Sequence, residues 1–349
     1  MRLGAIPDNP AEWLVLAAGL VPAPLLHTQL FFTQARAIMA AVDVGLFEAL
    51  AKEPATAQQV ALLCKSDARA TGALLGALAG CDYLSYERAS QRYRLRPVAR
   101  KWLLRGGPHS LANKMLFQKI EWRFLESLES FVRTGKPIDL HLSSDPATWE
   151  AYQAGMADLG RLSLDEVVSR TRVPKGARRM LDIGGSGGTY SGAFLRKHAA
   201  LEAKILDLPE AVTHARRFIE AQGFGARLTI EPGNVLTDDL GESQYDFVFL
   251  SMLVHHFSRE QNLALAKKVH RALRPFGVFV IQDVERGEVP SPKNQIGGLM
   301  DLYFALTSQS GTWSMTEMTG WLREAGFAPL RPVRFRTSPG LVQAVGSKR

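Results

Sequence analysis

Residues 179–192 read Arg-Met-Leu-Asp-Ile-Gly-Gly-Ser-Gly-Gly-Thr-Tyr-Ser-Gly, with four glycines inside five positions. An apolar strand (Met180, Leu181, Ile183) runs into them, and Tyr190 to Lys197 reads as the first turns of a helix. Glycines at such a turn let the backbone bend sharply and let a ligand come close to the N–H groups of the helix start. The chemistry this offers is the binding of a nucleotide-like molecule. No lysine follows the glycines before Lys197, so a P-loop for a nucleoside triphosphate is not formed. Counting from Gly185 and Gly187, the dinucleotide fingerprint needs a third glycine where Tyr190 stands. What remains is Asp182-x-Gly184-Gly185-x-Gly187, with a second acid, Asp207, 23 residues beyond Gly184. Asp207 ends the apolar run Ala203 to Leu206, where a second strand can hand a carboxylate to ribose hydroxyls.

The elements that must position these residues alternate from 179 onward. Strands are expected at Met180–Ile183, Lys204–Leu206, Leu228–Glu231, Asp246–Ser251 and Gly277–Asp283, with helices to about His198, from Ala211 to Gly223 and from Arg259 to Leu273. Such alternation predicts an α/β fold with a doubly wound, largely parallel sheet, its ligands outside the carboxyl ends of the strands. Before it, residues 111–134 and 146–171 read as two long helices with a recurring stripe of aromatic residues and methionines, and Val173-Pro174-Lys175-Gly176 is a linker. Earlier still, a helix over 28–50 has Gly45 as its weak point. Thr56 caps a helix over 57–63, and Ser66 or Asp67 caps one running to Leu78. Two β-like stretches, Tyr83–Tyr86 and Tyr93–Leu95, complete a winged-helix order.

The chain of 349 residues has room for two ordinary domains, and 46% hydrophobic with 22% charged residues is a globular composition. A net charge of +8 permits an acidic partner. The third helix of the winged order, however, carries one arginine and no Asn, Gln or Lys to reach bases or phosphates, so packing against another helix is expected instead of DNA reading. Two cysteines, Cys64 and Cys81, indicate no disulfide framework and fit a reducing cytoplasm. The apolar run Trp13 to Leu26 contains Pro22 and Pro24 and is too short to span a bilayer, so no membrane role is expected. Neither His256 nor His270 has a ligand partner at metal-binding spacing, and no metal is expected.

Five segments carry a resemblance: Asp182-Ile-Gly-Gly-Ser-Gly, Asp207-Leu-Pro-Glu, Gly233-Asn, His255-His-Phe-Ser-Arg-Glu and Asp283. The chain resembles the S-adenosylmethionine-dependent small-molecule O-methyltransferases with an N-terminal winged-helix dimerisation domain, of the caffeic-acid and acetylserotonin type in its bacterial branch, from Leu30 to a final strand Leu341–Val345. The resemblance implies a Rossmann-like, mostly parallel sheet with an antiparallel last strand. It implies three segments: a winged-helix dimerisation domain over 1–105, helices over 106–174 that lie over the substrate, and a cofactor-binding domain over 175–349. The cofactor would be S-adenosyl-L-methionine, leaving as S-adenosyl-L-homocysteine, and the acceptor a hydroxyl on an aromatic small molecule of secondary metabolism.

Carried over by position, the glycine turn of Gly184, Gly185 and Gly187 would hold the methionine end of the cofactor. Asp207 would bond its ribose hydroxyls and Asn234 would lie against its adenine, with Asp182, Leu208, Gly233, Val235 and Ser251 completing the cofactor-binding set. Asn234 stands where the family usually has an aspartate. His255 would be the general base and Asp283, usually a glutamate, would orient it. Imidazole titrates near 6.5 and phenol near 10, so such a base would take the proton as the oxygen attacks. Tyr152 and Met156 would sandwich the acceptor, with Asp301 and Phe304 facing it. One departure stands out: Thr312 replaces the family's second acid beside the histidine. That leaves methylation of carbon or nitrogen as an alternative, and a cofactor-binding winged-helix DNA regulator as a more distant one. The N-terminal surface implies a homodimer.

Overall fold

The computed structural model describes residues 4–138 and 145–349; residues 1–3, and 139–144 within the expected helical segment, lie outside it. The chain divides into two compact units, residues 2–120 and 121–349.

The first unit holds α1 (Pro10–Ala17), a π-turn over Leu26–Leu30, α2 (Phe31–Asp43), a short turn Leu46–Ala49, α3 (Ala57–Cys64), α4 (Ala68–Gly80), the hairpin β1 (Leu84–Glu87) and β2 (Arg92–Leu95), and α5 (Pro97–Trp102). The single helix expected over 28–50 ends at Asp43, because Gly45 turns left-handed at φ +77. Thr56 and Gln59 form a reciprocal capping box on α3, and Asp67 accepts from Ala70 N–H to cap α4. The wing pairs antiparallel from Leu84↔Leu95 to Glu87↔Arg92. Val42, Phe47, Val60, Leu75, Leu84 and Leu95 share its core, while Phe32, Leu62 and Leu63 remain exposed.

α6 (Ala112–Leu125) and α7 (Leu128–Thr134) replace the one helix expected over 111–134. At the break, Glu126 and Ser127 N–H bond carbonyls three residues back, at Arg123 and Phe124, so the α-helical ladder stops. The long α8 (Pro146–Arg170) starts from Asp145, whose carboxylate accepts from Ala147 and Thr148 N–H ahead of a proline that needs no partner.

The sheet of the second unit follows as β3 (Arg179–Ile183), β4 (Glu202–Asp207), β5 (Leu228–Pro232), β6 (Tyr245–Ser251), β7 (Leu273–Val284), β8 (Ala328–Arg334) and β9 (Leu341–Ser347). Its order is β5-β4-β3-β6-β7-β9-β8, parallel through β7, with β9 antiparallel to both neighbours. The order reverses beside β3, so a crevice opens at the carboxyl ends of β3, β4 and β6. Helices α9 (Thr189–Lys197), α10 (Pro209–Glu220), α11 (Arg259–Ala272), α12 (Gln295–Thr307) and α13 (Met315–Glu324) surround it. Phe194, Phe247 and Phe249 fill one face of the sheet; Val248, Leu250 and Trp321 fill the other.

Late in α8, Glu166 accepts from Arg336 N–H, from the N–H and hydroxyl of Thr337, and from Arg170. Burial opposes its charge, but these donors outweigh burial and hold the carboxyl down to about 2. A carboxyl so depressed stabilises the fold above its unfolded pKa near 4.3, and that contribution is lost as pH falls toward 2. Glu166→Gln is expected to lower the unfolding free energy at neutral pH by about 1–3 kcal/mol, with the gap to wild type closing in acid, as read by urea unfolding.

Candidate cofactor and acceptor site

Gly184 N–H bonds Leu206 O at 2.8 Å, tying the start of the glycine turn to the end of β4. Gly184 sits at φ +69 and Gly188 at φ +74, and Ser186 is forced left-handed at φ +47. That strained serine is held by its own N–H, which donates to Asp207 Oδ2 at 2.9 Å; Leu208 N–H donates to Oδ1 at 2.8 Å. Burial raises the Asp207 carboxyl above its usual range against these two hydrogen bonds. Among the described residues no cation pairs with it. A carboxylate placed this way is suited to neighbouring hydroxyl donors, as on a ribose.

Asp182 lies beneath the turn, not in the cavity. It is buried and accepts from Ser191 Oγ at 2.6 Å. A Cβ on Gly185 would stand 2.6 Å from Asp182 Oδ2, so only glycine lets the turn close over this acid. Burial pushes Asp182 up to about 7, the Ser191 hydroxyl relieving part of the rise and Asp207 adding to it.

The cavity at the crevice measures about 450 Å³, within the range of small-molecule sites. Of the expected residues, Gly184, Asp207, Leu208, Gly233, Asn234, Val235 and Tyr152 line it. Gly185, Gly187 and Ser251 do not; Ser251 Oγ instead accepts from Gln282 Nε2. A Cβ on Gly233 would meet Leu206 Cδ1 at 2.6 Å and Asp238 Oδ2 at 2.7 Å, so a side chain there would push these two side-chain ends aside. Asn234 differs from expectation: its side-chain oxygen already accepts from Leu236 N–H at 3.0 Å in a turn of its own, leaving the amide N–H groups as its main offering.

His255 sits on a short 3₁₀ turn, Val254–His256, after β6. Its Nδ1 lies 2.9 and 3.0 Å from the two oxygens of Asp283 at the end of β7, and both side chains are buried. Asn262 Nδ2 and Trp313 Nε1 each donate to Val254 O at 3.0 Å, clamping this turn. Neither Asn262 nor Trp313 announces this role in the sequence.

The expected acceptor residues are not assembled as a set. Tyr152 lines the cavity beside Trp149, its ring edge-on at 5.6 Å, but Met156 on the next turn of α8 does not. Phe304 stacks on the His255 ring at 3.6 Å between centroids and does not line the cavity. Asp301 Oδ1 accepts from both the N–H and the hydroxyl of Thr312, so it serves the neighbouring loop. The lining also includes Trp149, from the aromatic stripe of the middle helices, and residues with no site role expected from the sequence, among them Met252, His256, Thr307 and Ser308. Met252, a non-glycine residue at φ +56 just past β6, is strained in the manner common at sites.

A switch-point crevice with a glycine cradle and a paired ribose-type acid is the site of a Rossmann-like methyltransferase. Residues 127–328 match the O-methyltransferase domain, and residues 26–105 match the O-methyltransferase dimerisation domain. The chain belongs to the O-methyltransferase family and uses S-adenosylmethionine as its cofactor. It is 29% identical over 327 residues to the 3-hydroxy-5-methyl-1-naphthoate 3-O-methyltransferase of Streptomyces sahachiroi, covering 90% of this chain and 91% of that one. It is 27% identical over 312 residues to the L-tyrosine C(3)-methyltransferase of Streptomyces lavendulae, covering 83% and 82%. In fold it is similar to human N-acetylserotonin methyltransferase in complex with S-adenosylmethionine, with a TM-score of 0.79 at 18% identity over 99% of each chain. Among the described residues no group of three His, Cys, Asp or Glu could hold a metal ion, and no helix is long and apolar enough to cross a membrane.

The folded Asp182 releases its proton near 7 and an unfolded one near 3.9, so stability falls as pH rises between these values. Asp182→Asn, which keeps an oxygen for Ser191, is expected to remove that decline. In urea unfolding the variant should gain on wild type by roughly 1 kcal/mol per pH unit from about pH 4 to pH 7.

Proposed function

We propose that this protein transfers the methyl group of S-adenosylmethionine to a hydroxyl on an aromatic small molecule of secondary metabolism, with His255 as general base and Asp283 orienting it. The observation that carries this is the buried contact of His255 Nδ1 with both oxygens of Asp283, at the strand ends beside the cavity. A carboxylate on Nδ1 holds the proton there, leaves Nε2 as the basic atom, and balances the imidazolium that forms. Bound in the cradle, the cofactor supplies an electrophilic methyl on a sulfonium. Gly184 and the backbone around it would cradle the methionine end, Asp207 would hold the ribose hydroxyls, and Asn234 would donate toward the adenine. The protein otherwise contributes proximity and a dry wall, for which Trp149 and Tyr152 are suited.

A second reading, methylation at carbon, is favoured by Thr312, whose hydroxyl is committed to Asp301 and which brings no charge toward His255. The relative acting on tyrosine C(3) is of that kind. The test is transfer of labelled methyl to a panel of phenols, naphthols and hydroxyquinones, with products mapped by mass spectrometry. Label on oxygen is expected. His255→Asn, which keeps a donor for Asp283, should then reduce kcat by about 10²–10⁴-fold with S-adenosylhomocysteine affinity unchanged. Label on carbon would select the second reading.

The exposed Phe32, Leu62 and Leu63, within the dimerisation match, support pairing of two chains through the N-terminal unit. On α4, Arg69 is the one basic side chain, which supports association over nucleic-acid binding. Light scattering after size-exclusion chromatography is expected to give twice the 38.4 kDa chain mass at micromolar concentration; a monomer would refute the pairing.

A further inference from the structure

After β5, the loop from Gly233 to Asp238 folds back on its own backbone. Gly233 N–H donates to Asp207 O at 2.8 Å, and Asn234 N–H to Asp238 Oδ2 at 2.8 Å. Leu236 N–H goes to Asn234 Oδ1 at 3.0 Å, while Thr237 and Asp238 N–H both go to Asn234 O, at 3.0 and 2.8 Å. Among the described residues, the Val235 N–H is the one in this stretch with no protein acceptor, and Val235 lines the cavity with Asn234 and Leu236.

The carbonyls of the same loop converge on a single atom. Those of Val235, Leu236 and Asp238 accept from Nζ of Lys268 at 2.7, 3.1 and 2.7 Å. Lys268 stands on α11 and does not itself line the cavity. Three carbonyl oxygens around one nitrogen repel each other unless that nitrogen brings three donors, as an ammonium does. A neutral amine would turn its lone pair on one of them. Arg271, further along α11, pairs with the Asp239 carboxylate, so the helix holds the loop at its middle and at its end.

We propose that Lys268 is a positioning residue for the cofactor, its ammonium fixing the loop in the form that offers donors to the base of S-adenosylmethionine. The inference rests on the adenine-side reading of this loop given above. Turning over the peptide between Val235 and Leu236 would break two hydrogen bonds at once, one to Lys268 and one to Asn234. The next peptide, between Leu236 and Thr237, is held in the same way. The Val235 N–H and the Asn234 amide N–H groups are therefore set before a ligand arrives, and little ordering remains to oppose binding. Both are donors, and the bare ring nitrogens of adenine are acceptors. Without the ammonium, a carbonyl released from the cluster could turn to the cavity and face those nitrogens with like partial charge.

The test is calorimetric binding of S-adenosylhomocysteine and of its deaminated form, S-inosylhomocysteine, whose base carries a donor N1–H where adenine has an acceptor. Wild type is expected to favour the adenine compound by about tenfold or more. Lys268→Met, which keeps the apolar stem, should bind S-adenosylhomocysteine about tenfold more weakly and narrow that preference to about threefold or less. Lys267→Met, which removes the neighbouring exposed charge, should leave both affinities within about twofold. Lys268→Arg keeps the charge, but its planar fork cannot meet three oxygens at one point, so it should fall between wild type and Lys268→Met. Equal loss of both compounds in Lys268→Met would overturn the proposal, since a loosened fold does not distinguish bases. An arginine variant indistinguishable from wild type would overturn it as well, because the convergence on one nitrogen would then not matter. If wild type itself fails to prefer adenine, it is the adenine-side reading of the loop that falls, and the proposal with it.

Discussion

Two acids closed into one turn set the conditions for the rest of the site. Asp182 must be roofed by a residue with no side chain, which makes Gly185 obligatory, and it must find a donor, which Ser191 supplies from α9. Asp207 must be fed by backbone N–H groups, and one of them comes from a serine bent into a left-handed conformation. The turn is therefore held together by the same carboxylate that lines the cavity. Any residue that straightened it would release the strain at Ser186 and deprive Asp207 of a partner together.

Much of this was legible in the chain because it rests on local geometry. Four glycines after an apolar strand, an acid ending the next strand, and regular alternation from 179 onward require little tertiary context to read. What escaped depended on position in the folded sheet. β8 contains Pro329 and Pro332, which mark a loop in isolation but are tolerated on an edge strand whose outer N–H groups have no ladder to join. The break between α6 and α7 hangs on two i→i−3 hydrogen bonds with no proline or glycine to announce it.

The acceptor end was the least legible, and the reason is physical. Met156 follows Tyr152 by one turn, about 6 Å further along the helix axis, and of the two only Tyr152 lines the cavity. Asp301 and Thr312 satisfy each other across a loop closure, so two residues that looked chemical in the sequence act as fasteners. His256 passes as a neighbour of the expected base until the fold reveals which of the two rings is on the wall.

The long helix α8 is a lever. Its far end is fastened by Glu166 to the strand connection at Arg336 and Thr337, and Thr171 just beyond it accepts from the buried amide of Gln343. Trp149 and Tyr152 lie near the other end, with about 25 Å of helix between Trp149 and Glu166. A rigid arm of that length turns a tilt of about 5° at the fastening into roughly 2 Å at the cavity mouth. The near end is tied as well, with Gln153 Nε2 donating to Ala211 O and Arg217 to Glu150, so such a tilt would also pull on the helix that follows Asp207. The position of the Trp149 and Tyr152 wall is then set in part by how firmly one carboxylate, remote from the cavity, grips its four donors.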